Sequence, residues 1–174
     1  MDKRIEKTLV KIRKGLLELV PEKDIADISV TELSRAAGID RKTFYLHYKT
    51  VDDALMGLCD FTVQEAASAI TGGGRADLVS QIKAFYDYLE AADESLYLLI
   101  SGEKSRKFRT AFLHGVFTSK AFGRFYTGTD RCLIEGYLYS ILYIYEKYRR
   151  SGRKIDTGEL AQMAADLIEH GVKK

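Results

Sequence analysis

Five side chains of one short stretch, Lys42, Thr43, Tyr45, Leu46 and His47, make a mixture that suits contact with a nucleic acid. Wound at about 100° per residue, Phe44 and Tyr48 share one side, Lys42, Thr43 and Leu46 lie opposite, and Tyr45 and His47 take the flanks. A buried helix does not keep such a mixture outward, and a solvated one has little use for Leu46. In the major groove of duplex DNA each type has work to do. Lys42 can donate to guanine O6 or N7, and Leu46 can meet a thymine methyl. Tyr45 and His47 are placed to reach the phosphates beside the groove.

The rest of the chain offers no rival chemistry. Cys59 and Cys132 lie far apart with no CxxC spacing, so each is expected to pack as a small buried hydrophobe. The histidines, His47, His114 and His170, are dispersed, and no His/Cys/Asp cluster has metal-ligand spacing. Gly72-Gly73-Gly74 lacks a following GK[ST] and reads as a flexible connection between helices. No cofactor, metal or catalytic constellation is expected.

The candidate contact residues need elements to hold them. Ser29 and Glu32 have capping-box spacing, so a helix starts near Val30 and runs through Ala37. Gly38 supplies a turn position that tolerates positive φ. Asp40 is a good N-cap for the next helix, which is expected to end near Tyr48 or Lys49. Thr50 with Asp53 caps a third start. Two helices around a short turn with Gly are the helix-turn-helix signature. A first helix over about residues 3–20, with an apolar stripe of Ile5, Leu9, Ile12, Leu16 and Val20, completes a small head together with Ile25 and Ile28.

The segment Asp40-Arg-Lys-Thr-Phe-Tyr-Leu-His-Tyr-Lys49 resembles the recognition region of the TetR/AcrR family of bacterial transcriptional regulators. That family shows Thr, a bulky apolar residue, Tyr, any residue, His or Tyr, and an aromatic, matched here by Thr43 to Tyr48. Ser29 to Ile39 resembles the preceding helix and turn, and the match covers about residues 5–58. The resemblance implies that Tyr45, His47 and Lys49 contact phosphates and that Lys42 and Thr43 face bases. Thr31, Arg41 and Leu46 complete the expected DNA-contact set. Many members carry a basic residue where this chain has Val51, and Lys49 is expected to take over that phosphate contact.

Bulk properties fit this reading. The chain has 174 residues, 46% hydrophobic and 30% charged, enough for one or two compact units. A single proline, Pro21, no Trp and no alternating strand-like runs point to an all-α chain. The apolar runs fall short of a membrane span and residues 1–20 do not read as a signal peptide, so a cytoplasmic protein is expected. Residues 1–50 hold eleven Lys and Arg against eight Asp and Glu, a modest basic excess for a DNA-binding head.

The expected organisation is a helix-turn-helix domain over residues 1–52 and a helical effector-binding and dimerisation domain over 53–174. In the second, residues 131–150 are apolar all round and therefore read as buried. Thr157 caps a last helix striped by Leu160, Met163, Ala164, Leu167 and Ile168. The resemblance implies that these two helices pair with their copies in a homodimer, through Tyr145, Leu160, Met163, Ala164, Leu167 and Ile168. Packing within one subunit accounts for the same pattern equally well. Tyr86, Tyr97, Phe112, Tyr137 and Tyr143 are candidate walls of a pocket for a small apolar or aromatic effector. Aromatics at helical spacing are also what a plain core shows, and a protein effector is the other option. The function expected is a DNA-binding regulator, more often a repressor by the family's habit, bound to a palindromic operator. The alternative is a helical protein-interaction module that has lost DNA binding.

Overall fold

The computed structural model describes residues 3–72, 77–119, 131–152 and 156–170. Every regular element among these is helical. The chain forms two compact units. One comprises residues 1–61 and 93–111, the other residues 62–92 and 112–174.

The first unit opens with α1 (Lys3–Leu19). Ile12, Leu16 and Val20 are buried, but Ile5, at the start of the expected stripe, stays 41% exposed. A single 3₁₀ turn (Ile25–Asp27) links α1 to α2 (Val30–Ala36). The capping box expected of Ser29 and Glu32 is present in full: Ser29 Oγ accepts from Glu32 N–H, and Glu32 Oε2 accepts from Ser29 N–H. Gly38 has φ 60° and closes a Schellman motif, with Ile39 N–H donating to Ser34 O and Gly38 N–H to Arg35 O. The turn then passes directly against α1. A Cβ on Gly15 would lie 2.6 Å from Ala37 N and 3.0 Å from Ala36 C, so the two backbones touch where Gly15 has no side chain.

Next come α3 (Arg41–Tyr45) and α4 (Val51–Thr71). The α3 helix is shorter than its sequence suggests. Leu46 N–H is shared between Lys42 O and Thr43 O, and His47 N–H bonds to Phe44 O, so the last turn tightens toward 3₁₀ geometry. Thr50 and Asp53 cap α4 reciprocally, as expected. From the later chain, α6 (Glu94–Ile100) and the first part of α7 (Arg106–Thr118) belong to this same unit. The corner between them is tied to the head by two ion pairs, Lys107 with Asp52 and Lys104 Nζ to Asp24 at 3.8 Å. Cys59 is buried, and burial pushes its thiol up to about 12, which suits an inert core residue. The side chain of Cys132 lies outside the described residues.

The second unit is built around α5 (Leu78–Ala91), whose Leu78, Ile82, Ala84, Phe85, Tyr86 and Leu89 are buried. It packs along α9 (Thr157–His170), where Ala161, Ala164 and Ala165 present small, fully buried faces. The Tyr86 ring stacks on Tyr145 of α8 (Arg131–Arg150) with centroids 5.5 Å apart. The expectation that α8 is buried on all sides is corrected. Leu138, Ile141, Leu142 and Tyr145 face inward, whereas Tyr143 is 54% exposed. One face of the helix is used by the subunit and the other is left to solvent. Of the expected Gly72-Gly73-Gly74 connection, Gly73 and Gly74 lie outside the described residues.

Glu32 links the head's fold to pH. Its hydrogen bonds from the Lys23 ammonium and then from Ser29 lower its carboxyl from 4.5 to about 2. A depressed carboxyl stabilises the folded state above its unfolded value, and that contribution fades as pH falls from about 5 toward 2. Glu32→Gln is therefore expected to flatten the acid limb of stability in that window while changing little at pH 7 to 9 beyond a constant offset. Denaturant midpoints measured from pH 2.5 to 7 check this, and an unchanged acid limb would refute it.

Candidate nucleic-acid interface

The site begins with a cap. Asp40 Oδ1 accepts from Thr43 N–H at 2.8 Å, and Asp40 Oδ2 accepts the Thr43 hydroxyl, also at 2.8 Å. These bonds hold the Asp40 carboxyl below the usual range. They also engage the hydroxyl hydrogen of Thr43, so the lone pairs and methyl of this half-buried residue are what it presents outward.

The α3 helix is anchored by one residue. Phe44 is fully buried and holds Tyr45 edge-on, with ring centroids 5.7 Å apart and planes at 81°. Tyr48 lies on the same inner side, half-buried, 6.0 Å from Phe44. With the inner side sealed, the outer side is presented whole. Leu46 is 76% exposed, and Arg41, Lys42 and Lys49 are also exposed. Tyr45 is 49% exposed, with the Arg41 guanidinium 6.0 Å from its ring centre. His47 is half-buried, and Thr31 is exposed on the first turn of α2. Exposed Lys42, Tyr45 and Leu46 stand within about one helical turn of each other, and Thr31 stands on the neighbouring helix. An apolar side chain this exposed between cations contributes little to the packing of the described residues. It is chemically fit to meet a surface that offers both negative charge and methyl groups.

The other candidate residues divide between the units. Tyr97 is buried in the first unit, and Tyr86, Phe112, Tyr137 and Tyr143 belong to the second. There, Tyr86 donates its hydroxyl to Ile141 O at 3.0 Å and Phe112 stacks on Phe85 at 6.3 Å. Both are therefore built into the packed core of that unit. Of the dimer candidates, Tyr145, Leu160 and Ala164 are buried within the subunit, and Tyr145 bonds to Glu90 at 2.9 Å. Met163 and Leu167 are 62% and 40% exposed, and Ile168 is half-buried. For the five residues on α9 the sequence pattern alone could not separate these two groups, because all of them fall on one apolar stripe. Among the described residues no group of three His, Cys, Asp or Glu side chains could hold a metal ion, and no helix is long and apolar enough to cross a membrane.

Comparison with known proteins locates this arrangement. No protein-family model matches the chain. The HTH-type transcriptional regulator EthR of Mycobacterium tuberculosis is 38% identical over 52 residues, which is 30% of this chain and 24% of that protein. The chain thus matches only about a quarter of that relative's length. A TetR transcriptional regulator from Streptococcus agalactiae superposes with a TM-score of 0.74 over 97% of both chains, at 21% identity. The regulator FadR of Bacillus subtilis, solved in complex with stearoyl-CoA, superposes with a TM-score of 0.68 over 94% of this chain and 99% of its own, at 18% identity. The fold is therefore the all-α fold seen in TetR-family transcriptional regulators, and this likeness in fold covers nearly the whole chain.

Proposed function

We propose that the chain is a homodimeric, cytoplasmic, sequence-specific DNA-binding regulator, a repressor in its simplest form, that reads a palindromic operator. The observation that carries this reading is the outer side of α3. Exposed Lys42, Tyr45 and Leu46 project from a segment whose other side is fixed by Phe44 and whose start is fixed by Asp40. In this reading Lys42, Thr43 and Leu46 meet base edges in the major groove. Thr31, Arg41, Tyr45, His47 and Lys49 engage phosphates. Residues 1–52 act as the DNA-binding domain and residues 53–174 as the effector and dimerisation domain.

The division of labour is testable. Lys42→Ala and Leu46→Ala are expected to change which bases are preferred, each good base contact contributing about 1–3 kcal/mol of discrimination. Tyr45→Phe and His47→Ala should instead weaken binding to all duplexes alike, because phosphate contacts position without specifying. Binding of the four variants to a set of single-base operator mutants checks this. If the second pair altered preference and the first did not, the helix would be docked the other way round.

For the second unit we propose an apolar effector whose binding lowers operator affinity. The aromatic content of that unit supports the reading, as does the stearoyl-CoA bound by the FadR structure of the same fold. Thermal stabilisation by acyl-CoA and small aromatic compounds tests it. A true effector must also weaken operator binding, since coupling between two sites is reciprocal.

A further inference from the structure

Gly57 sits inside α4, where alanine is the stronger helix former. A close contact explains why glycine stands there. A Cβ on Gly57 would clash with the Tyr48 hydroxyl and lie 2.8 Å from each of two of its ring carbons. The ring therefore rests directly on the bare backbone of α4. It is also tied back into the recognition segment. Tyr48 N–H donates to Phe44 O at 3.0 Å, His47 N–H donates to the same oxygen at 2.9 Å, and the Phe44 ring is 6.0 Å away. Burial against α4, reinforced by Asp60 and opposed by Arg13, raises the Tyr48 phenol above its ordinary value.

We propose that Gly57 and Tyr48 form a seat that sets the orientation of α3 on α4, which makes Gly57 a positioning residue for DNA recognition. The proposal rests on the reading of α3 as the DNA-contacting helix. Phe44 is fully buried and cannot follow a displaced ring. The methyl group added by Gly57→Ala displaces the Tyr48 ring, and in this proposal the displacement is passed through the backbone to the segment carrying Tyr45, Leu46 and His47. The severest part of the clash is with the hydroxyl. Tyr48→Phe removes that oxygen, so the bare ring accepts the added methyl with a smaller shift and leaves α3 near its native pose.

The test is a cycle of Gly57→Ala, Tyr48→Phe and the double variant in the full chain. Each is measured against a duplex selected by the wild type and against a random duplex. Gly57→Ala is expected to lose roughly tenfold in affinity for the selected duplex, the equivalent of about one base contact, with a smaller loss on the random one. In the Tyr48→Phe background the same change should cost less than about threefold. Wild-type affinity in Gly57→Ala would overturn the proposal. So would an equal loss in both backgrounds, because the glycine would then act through something other than the ring.

Backbone amide shifts of the free proteins separate this proposal from the DNA-binding reading. If the wild type binds no DNA, that reading fails, and the seat is judged by the shifts alone. Changes spread over residues 41–49 in Gly57→Ala that revert in the double variant support it, and changes confined to α4 overturn it. Should Gly57→Ala not fold, the double variant decides. A folded double variant that binds the selected duplex supports the seat, and an unfolded one overturns it.

Discussion

Truncating Phe44 to alanine is expected to cost the head about 3–5 kcal/mol, whereas truncating Leu46, two residues on, should stay within about 0.5 kcal/mol. Both belong to the same turn of chain, and their surroundings are opposite. Phe44 has no exposed surface and supports both Tyr45 and Tyr48 by ring contacts. Its loss leaves a cavity and removes the fully buried anchor of α3. Leu46 is 76% exposed, so its removal uncovers little among the described residues. Urea denaturation followed by far-UV dichroism measures both. Leu46→Ala should then retain wild-type stability and still bind DNA with altered preference. Comparable destabilisation by the two changes would mean that Leu46 belongs to the core and not to an interface.

The second large effect concerns assembly. Met163 and Leu167 are four residues apart on α9 and exposed, and Tyr143 is exposed on α8. The inward side of α9 is already satisfied by α5 through Ala161, Ala164 and Ala165. Met163→Glu or Leu167→Glu therefore leaves the subunit's own packing alone and acts only on what covers the outer side. If that cover is a second copy, the two changes together should give a folded monomer. Its operator affinity should fall by roughly a hundredfold or more, because two linked heads gain on the order of 10²–10⁴ over one. Sedimentation and gel shift, run on the same samples, check this. A double variant that remains dimeric would place the partner surface elsewhere, and a wild type that sediments as a monomer at micromolar concentration would overturn the homodimer.

Much of this was legible before any coordinates. Caps are local, so Ser29 with Glu32, Asp40 with Thr43 and Thr50 with Asp53 could be read from spacing, and each makes the expected bonds. Periodicity placed Phe44 inside and Leu46 outside, as found. The end of α3 was less legible, because the tightened turn after Tyr45 depends on where Tyr48 must land. That landing is set by Gly57 on the next helix, and nothing in the local pattern advertises the contact. The grouping of α6 and the start of α7 with the head was also hidden. It brings together residues far apart in sequence, as the ion pairs of Lys104 with Asp24 and of Lys107 with Asp52 and the full burial of Leu99, Ile100 and Phe108 show. For the same reason the stripe on α9 could not say which of its residues serve α5 and which are left over. Leu160 and Ala164 proved internal, and Met163 and Leu167 proved external.

In the proposed function the outer side of α3 reads duplex DNA. The most direct measurement is selection of bound duplexes from a random pool, followed by titration of the enriched sequence across a range of salt. Enrichment of a palindrome is expected, with half-sites about one helical turn apart or a multiple of that. Affinity should fall steeply and linearly with salt on logarithmic axes, and preferences should change in Lys42→Ala and Leu46→Ala. A pool that remains random after repeated selection, with no duplex retained even at low salt, would contradict it.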